Sequence, residues 1–431
     1  MTIQMSQDNA IEQLKSTVCP EEGLISAAIH TDPEVYRLEL ERVFGRVWLF
    51  VAHESEIPEP GDFVVRDMGE QSVIVSHGDD GETRVLLNNC RHRGMKLACE
   101  DRGSGPSWRC PYHGFTYRND GSFLGAPYQR FAYPEGLDKE SLRLLGARCE
   151  TYAGLIFATF NSSVEPLADF LGHMRWYIDI LVGRAEFEVV GAPQRWIVPT
   201  AWKLPAENFA SDAYHTVTTH AFLAKLGLVK GVDFGRRGFH VVPGGGHGLG
   251  IGVQDEGPWY PPELRAEYER NLSQEQLALM DRIKNFHGNV FPNLSFLIPN
   301  VIEYAGKRVT GMTIRQWQPI GPDKIQALSW HLVEKNAPEW WKELGRKVYV
   351  QTFGSSGMFE QDDTENWELQ TRNSLSALSF AEPVMLNYKM GMGGEPLPDF
   401  PGPGDVYDGK YNEAAARGFY RRWLDLMTEA K

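Results

Sequence analysis

The sequence predicts an α+β protein: a small antiparallel β domain, then a larger domain in which an antiparallel sheet is flanked by helices. Three observations carry this. From Val47 to about Phe160 the chain runs in short β-rich segments separated by turns. After Asn161 helical and strand-like stretches alternate. At 431 residues the chain is also too long for one small domain. The expected division is an N-terminal arm and helix (residues 1–45) packing on the larger domain, a small β domain (46–160) and the larger domain itself (161–431).

Residues 1–30 carry few structural signals and are expected to form an extended arm. Thr31-Asp32-Pro33-Glu34 reads as a helix start, with Thr31 as N-cap and Glu34 closing a capping box. An apolar stripe then continues to Phe44, and Gly45 fits a C-cap. In the small domain, 63–65, 72–75 and 84–87 are strands, and 154–160 is a buried closing strand. Further on, 167–181 is helical, 194–198 strand-like and 202–226 mainly helical. One long helix is expected over 263–286, a hairpin over 308–318 and 325–333, and helices over 340–353 and 413–429. Gly244-Gly245-Gly246 reads as a flexible loop, without the strand-to-helix context of a phosphate site.

Composition bounds the function. Hydrophobic residues make up 42%, and twelve tryptophans suit large cores rather than a disordered chain. The net charge of −14 excludes general nucleic-acid binding, which needs a basic excess. No secretory leader and no membrane-length apolar run is visible, so a cytoplasmic protein is expected. The five cysteines (19, 90, 99, 110 and 149) form no disulfide-like framework.

Two stretches carry chemistry. The first is Cys90-Arg91-His92-Arg93-Gly94 and Cys110-Pro111-Tyr112-His113-Gly114, a C-x-H-x17-C-x2-H pattern. Two thiolates and two imidazoles suit either a tetrahedral zinc or a [2Fe-2S] cluster with mixed ligation. Zinc fingers group like ligands, whereas each loop here carries one cysteine and one histidine, which favours iron. The second stretch runs from Trp202 to His220. On a helix Asn208, Asp212 and His215 would share a face. His220 is then offset from His215 by about 140°, so both reach one metal only if the helix breaks. The β-branched run Thr216-Val217-Thr218-Thr219 makes a break credible. A facial triad of non-haem iron needs one carboxylate besides two imidazoles, and 359–367, with Glu360, Asp362, Asp363 and Glu365, is the best downstream source.

These motifs resemble those of the Rieske non-haem iron ring-hydroxylating dioxygenases, large (alpha) subunits of the naphthalene and biphenyl dioxygenase kind. The likeness spans nearly the whole chain, with no departure at a ligand position. It implies a Rieske [2Fe-2S] cluster on Cys90, His92, Cys110 and His113, and a mononuclear Fe(II) on His215, His220 and Asp363. It implies that Asp212 supports His215 and reaches a cluster histidine, His113, of a neighbouring subunit. Asn208, Phe209, Val217, Phe353 and Phe359 are expected in the substrate pocket. The activity implied is cis-dihydroxylation of a small aromatic substrate by O2, with monooxygenation of a salicylate-like acid as the alternative. Electrons from NADH would arrive through a separate ferredoxin and/or reductase, because no G-x-G-x-x-G fingerprint is recognisable here. A small beta subunit in an alpha3beta3 hexamer, and neither a nucleic acid nor a membrane, completes the expected partners.

Overall fold

The computed structural model describes residues 7–226, 235–255, 257–299, 302–304, 306–381 and 384–429. The chain divides into two compact units: Phe44–Leu167, and the segment ending at Val43 joined to the chain from Ala168 onward.

In the smaller unit, a seven-stranded antiparallel sheet has the strand order 49–53, 155–159, 146–152, 83–87, 71–77, 62–68 and 102–104. A second sheet of three strands, 107–109, 116–118 and 123–125, carries Trp108 and Tyr117 into a core that also holds Cys90 and Cys110. Val73, Ile74, Val75 and Ser76 are buried in succession, as are Val85 and Leu86, so these central strands are covered on both faces.

The larger unit is built on an antiparallel sheet whose main path runs 187–189, 324–334, 313–321, 294–298, 283–290, 247–253, 238–244 and 405–408, with 194–198 also pairing to 324–334. Helix Lys203–Ser211 lies on this sheet and against helix Ala414–Thr428. Glycine makes that approach possible. A Cβ at Gly248 would sit 2.5 Å from Ala415 Cβ and 2.7 Å from the Ala210 carbonyl. The start of helix Lys203–Ser211 is pinned by buried Glu39. Its carboxylate accepts from Lys203 Nζ at 2.5 Å, Trp202 Nε1 at 2.9 Å and Trp423 Nε1 at 2.8 Å.

Several expectations need correction. Within the expected N-terminal arm, Gln7–Thr17 is helical, while residues 1–6 lie outside the described residues. The next helix is capped by Asp32, not Thr31: its carboxylate accepts the N–H groups of Glu34 and Val35. The single helix expected over 263–286 is two short helices, 265–271 and 274–280, because Ser273 and Gln276 form a capping box that restarts the chain. From Ile283 the chain is strand. Gly245-Gly246 is not a loose loop but the tight turn of a hairpin in which Gly244 pairs with His247, and all three glycines have positive φ. The strands 238–253 were missed because alternating Gly248, Gly250 and Gly252 dilute the strand signal.

Candidate active site

The two cluster loops are built alike. Each cysteine N–H donates to the carbonyl five residues on, Cys90 to Met95 at 2.9 Å and Cys110 to Phe115 at 2.8 Å. The glycine four residues on then donates back to the cysteine carbonyl, Gly94 to Cys90 and Gly114 to Cys110. Both glycines hold φ near +70°, which L side chains rarely adopt. Cys90 and Cys110 are buried, while the rings of His92 and His113 meet edge-on, with centroids 4.5 Å apart. His92 stacks on Phe115 at 4.6 Å, and its Nδ1 is buried without a hydrogen-bond partner. Tyr117 Oη lies 3.6 Å from Cys90 Sγ and accepts the Arg91 N–H. Burial pushes the Cys90 thiol up, so an unpaired thiolate would be costly here and a positive centre welcome. Two loops of the same build, each with one buried cysteine and one histidine, present the two-thiolate, two-imidazole donor set of a Rieske cluster.

The second site depends on where a helix stops. Helix Lys203–Ser211 ends before Asp212, whose ψ is 72°, and the chain continues as a 3-10 turn, Tyr214–Val217. The break therefore comes four residues earlier than the Thr216–Thr219 run suggested, and Asn208, Asp212 and His215 do not share one helical face. Asp212 drives it: its carboxylate accepts the His215 N–H at 3.0 Å, and its backbone bridges to Tyr411. The turn swings His215 toward His220, so that their Nε2 atoms lie 3.3 Å apart. Asp363 Oδ1, from helix Met358–Ser374, lies 3.3 Å from each of them. Three donors 3.3 Å apart fit one ion about 2.1 Å from each.

The outer nitrogens are held too. His215 Nδ1–H donates to the Asp212 carbonyl at 2.5 Å, with the Asp212 carboxylate at 3.4 Å, and His220 Nδ1 faces Asp362 Oδ2 at 3.3 Å. Both tautomers thus leave Nε2 free for a metal. Burial opposes ionisation of Asp363, but the two imidazoles hold its carboxyl below the ordinary range. It is the carboxylate of choice. Asp362 sits outside the triangle as a partner of His220.

Beside the triangle lies a cavity of about 110 Å³. Asn208, Phe209, Phe353 and Phe359 line it, as the sequence suggested. Val217 does not: the 3-10 turn directs it outward, and it is 37% exposed. Phe353 and Phe359 stack at 5.1 Å, and buried Arg315 fixes them by pairing with Glu360 and donating to the Phe353 carbonyl at 2.6 Å. Sequence reasoning missed Asn285, His287 and Lys410 in the lining. Asn285 falls within the stretch expected as helix and His287 just beyond it, and the apolar residues Ile283, Phe286 and Val290, three and four apart, gave no strand signal.

The chain matches the Rieske [2Fe-2S] domain family over residues 47–134 and the ring hydroxylating alpha subunit (catalytic domain) family over 167–429. It is 37% identical to the biphenyl 2,3-dioxygenase subunit alpha of Rhodococcus jostii (strain RHA1), covering 94% of this chain and 89% of that one. It is 35% identical to the N,N-dimethyl phenylurea N-demethylase subunit alpha of Sphingobium sp. (strain YBL2), covering 94% and 92%. The crystal structure of naphthalene 1,2-dioxygenase from Rhodococcus sp. bound to indole matches with a TM-score of 0.91 at 41% identity, covering 98% of this chain and 97% of that chain. Two candidate metal sites with different donor sets, two matched domains and relatives alike over most of their length lead to one conclusion: this chain is an oxidoreductase of the Rieske-type ring-hydroxylating alpha-subunit family, with a [2Fe-2S] cluster and a mononuclear iron as its cofactors.

Proposed function

We propose that this chain is a terminal oxygenase subunit that adds both atoms of O2 to one face of an aromatic ring, giving a cis-dihydrodiol. In this reading His215, His220 and Asp363 hold the iron, and Cys90, His92, Cys110 and His113 hold the cluster. One observation carries it: a triangle of two imidazoles and a buried carboxylate borders a cavity walled by Phe209, Phe353 and Phe359. When bound, the cluster supplies single electrons and the iron a binding position for O2 beside the ring.

The chain's own residues set the conditions. Phe353 and Phe359 offer flat apolar surface for the ring and keep water from the site. The Asp212 carbonyl and the Asp362 carboxylate fix the two histidine tautomers. Asp212 has a second role: its carboxylate, 44% exposed, is available to an imidazole N–H from outside. We assign that N–H to His113 of a neighbouring copy, giving electrons a bonded path between subunits. Relatives named as alpha subunits support partner chains, read here as a small beta subunit in an alpha3beta3 hexamer. A cytoplasmic ferredoxin and/or reductase would pass on electrons from NADH. Each turnover takes two electrons, two protons and one O2.

A second reading, insertion of one oxygen atom, is supported by the N-demethylase relative. Turnover of an arene panel under 18-O2 with surrogate ferredoxin and reductase separates them. Two labelled atoms in a dihydrodiol support the first reading; one in a phenol, or a demethylated product whose label leaves with the formaldehyde, supports the second. No product from a fully iron-loaded enzyme overturns both.

A further inference from the structure

Helix Lys203–Ser211 stops where the iron site begins, and the stop has a second cause besides Asp212. An α-helix continues when each N–H takes the carbonyl four residues back. Asp212 N–H still does so, donating to the Asn208 carbonyl at 2.9 Å. The next bond in the series would join Ala213 N–H to the Phe209 carbonyl. Instead Ala213 N–H donates to the Ser211 carbonyl at 3.1 Å, and the Phe209 carbonyl accepts His287 Nδ1–H at 2.8 Å. The last carbonyls of a helix need partners from outside it, and here the sheet supplies one. His287 belongs to strand Ile283–Val290, on which the helix lies. Its partner across the sheet is Gly250, and a Cβ there would run into the imidazole, so glycine lets the ring lie across the neighbouring strand.

A carbonyl only accepts, so Nδ1 carries the proton of the His287 ring. Burial lowers His287 to about 4, which keeps the ring neutral, and Nε2 is shut off from solvent without a hydrogen-bond partner. The side chain therefore commits its single N–H to one carbonyl, and that carbonyl sits at the site. Phe209 walls the cavity, while Asn208 beside it reaches Asp212 Oδ2 at 3.3 Å and His215 Nδ1 at 3.4 Å. Were Ala213 N–H to take the Phe209 carbonyl, Asp212 would be helical and its own carbonyl would point along the axis to Thr216 N–H. The bond from His215 Nδ1–H to the Asp212 carbonyl would then be lost. With it would go the turn that brings His215 Nε2 to 3.3 Å from His220 Nε2.

We propose that His287 is a positioning residue for the mononuclear iron: by taking the Phe209 carbonyl it ends helix Lys203–Ser211 and so sets where His215 presents its Nε2. This rests on the ligand set of the oxygenase reading above and deepens it. The test titrates Fe(II) against a chelator in purified enzyme whose cluster is intact by absorption, with His287→Leu beside His287→Asn. Leucine removes the N–H, whereas asparagine keeps one close to the Nδ1 position. His287→Leu should bind Fe(II) about 10- to 100-fold more weakly, the usual effect of losing a partner behind a metal ligand, with its cluster spectrum unchanged. His287→Asn should hold Fe(II) as wild-type enzyme does. A role in stability alone would lower the unfolding midpoint of His287→Leu and leave its Fe(II) affinity untouched, which overturns the inference. Equal weakening in both variants overturns it too, as does unchanged affinity with a raised KM, which would make His287 a substrate contact. If His287→Leu does not fold, His287→Asn still decides: weakened iron in the folded variant contradicts the assignment, and full retention supports it. Each of these failures leaves the oxygenase reading intact. Wild-type enzyme with no Fe(II) site beyond its cluster would contradict that reading and this inference together.

Discussion

The cluster loops and the His215–His220–Asp363 site differ in how the chain holds them. Each cluster loop is closed by its own backbone hydrogen bonds around a glycine of positive φ, and all four proposed ligands lie within Cys90–His113. The second site exists only after tertiary folding. A helix must stop at Ser211, a 3-10 turn must redirect His215, and Asp363 must arrive from helix Met358–Ser374. Local closure makes a site that a motif can announce, whereas an assembled site depends on supports far from it in sequence. The buried Arg315–Glu360 pair and the Glu39 cluster are such supports.

The sharpest contrast comes from removing a ligand on the local side. Cys90→Ser should abolish the visible absorption of the cluster and all NADH-dependent product formation, while the mononuclear iron remains. Absorption spectra with iron analysis check this, and a retained cluster spectrum would break the assignment. Asp212→Asn should keep both centres, since Asp212 binds neither metal. Single-turnover oxidation of the pre-reduced cluster should slow at least about tenfold, the usual effect of a lost partner behind a metal-bound histidine. Oxidation at the wild-type rate would reduce Asp212 to a residue of the turn alone.

Legibility followed the same division. The cysteines, histidines and flanking glycines of the small unit could be read directly, because spacing and turn residues are local facts. For the second site the sequence marked His215, His220 and the acidic stretch around Asp363, but not the geometry joining them. Asp212 ends the helix by bonding the His215 N–H, an interaction between a side chain and the backbone that propensities do not capture. Val217 went astray for that reason. His287 and Lys410 were missed because one sits on a strand whose first half was read as the end of a helix, and the other reaches the cavity only through pairing at the sheet edge.

Smaller effects sharpen the claim about distant supports. Arg315→Met leaves Glu360 buried and unpaired, and should cost about 3–5 kcal/mol of stability. Denaturant unfolding followed by tryptophan fluorescence checks it, and a loss below about 1 kcal/mol, typical of exposed pairs, would contradict it. The mildest effect concerns Glu207, whose carboxyl burial raises from 4.5 to about 8 and which accepts from Tyr388 Oη at 2.9 Å. The folded state then holds a proton the unfolded chain has lost, so this group's contribution to stability is complete below about pH 4.5 and is lost as pH rises through about 8. Glu207→Gln should flatten that slope, as unfolding midpoints at several pH values would register.

The most direct measurement of the assembled site is iron content and cluster absorption in Asp363→Ala beside Asp362→Ala. The two carboxylates are neighbours, yet one completes the donor triangle and the other faces the outer nitrogen of His220. With two irons in the cluster and one at the triangle, Asp363→Ala should lose the third iron and all product formation with its cluster spectrum unchanged, while Asp362→Ala retains that iron. Loss of the iron from Asp362→Ala with its retention in Asp363→Ala would contradict the account.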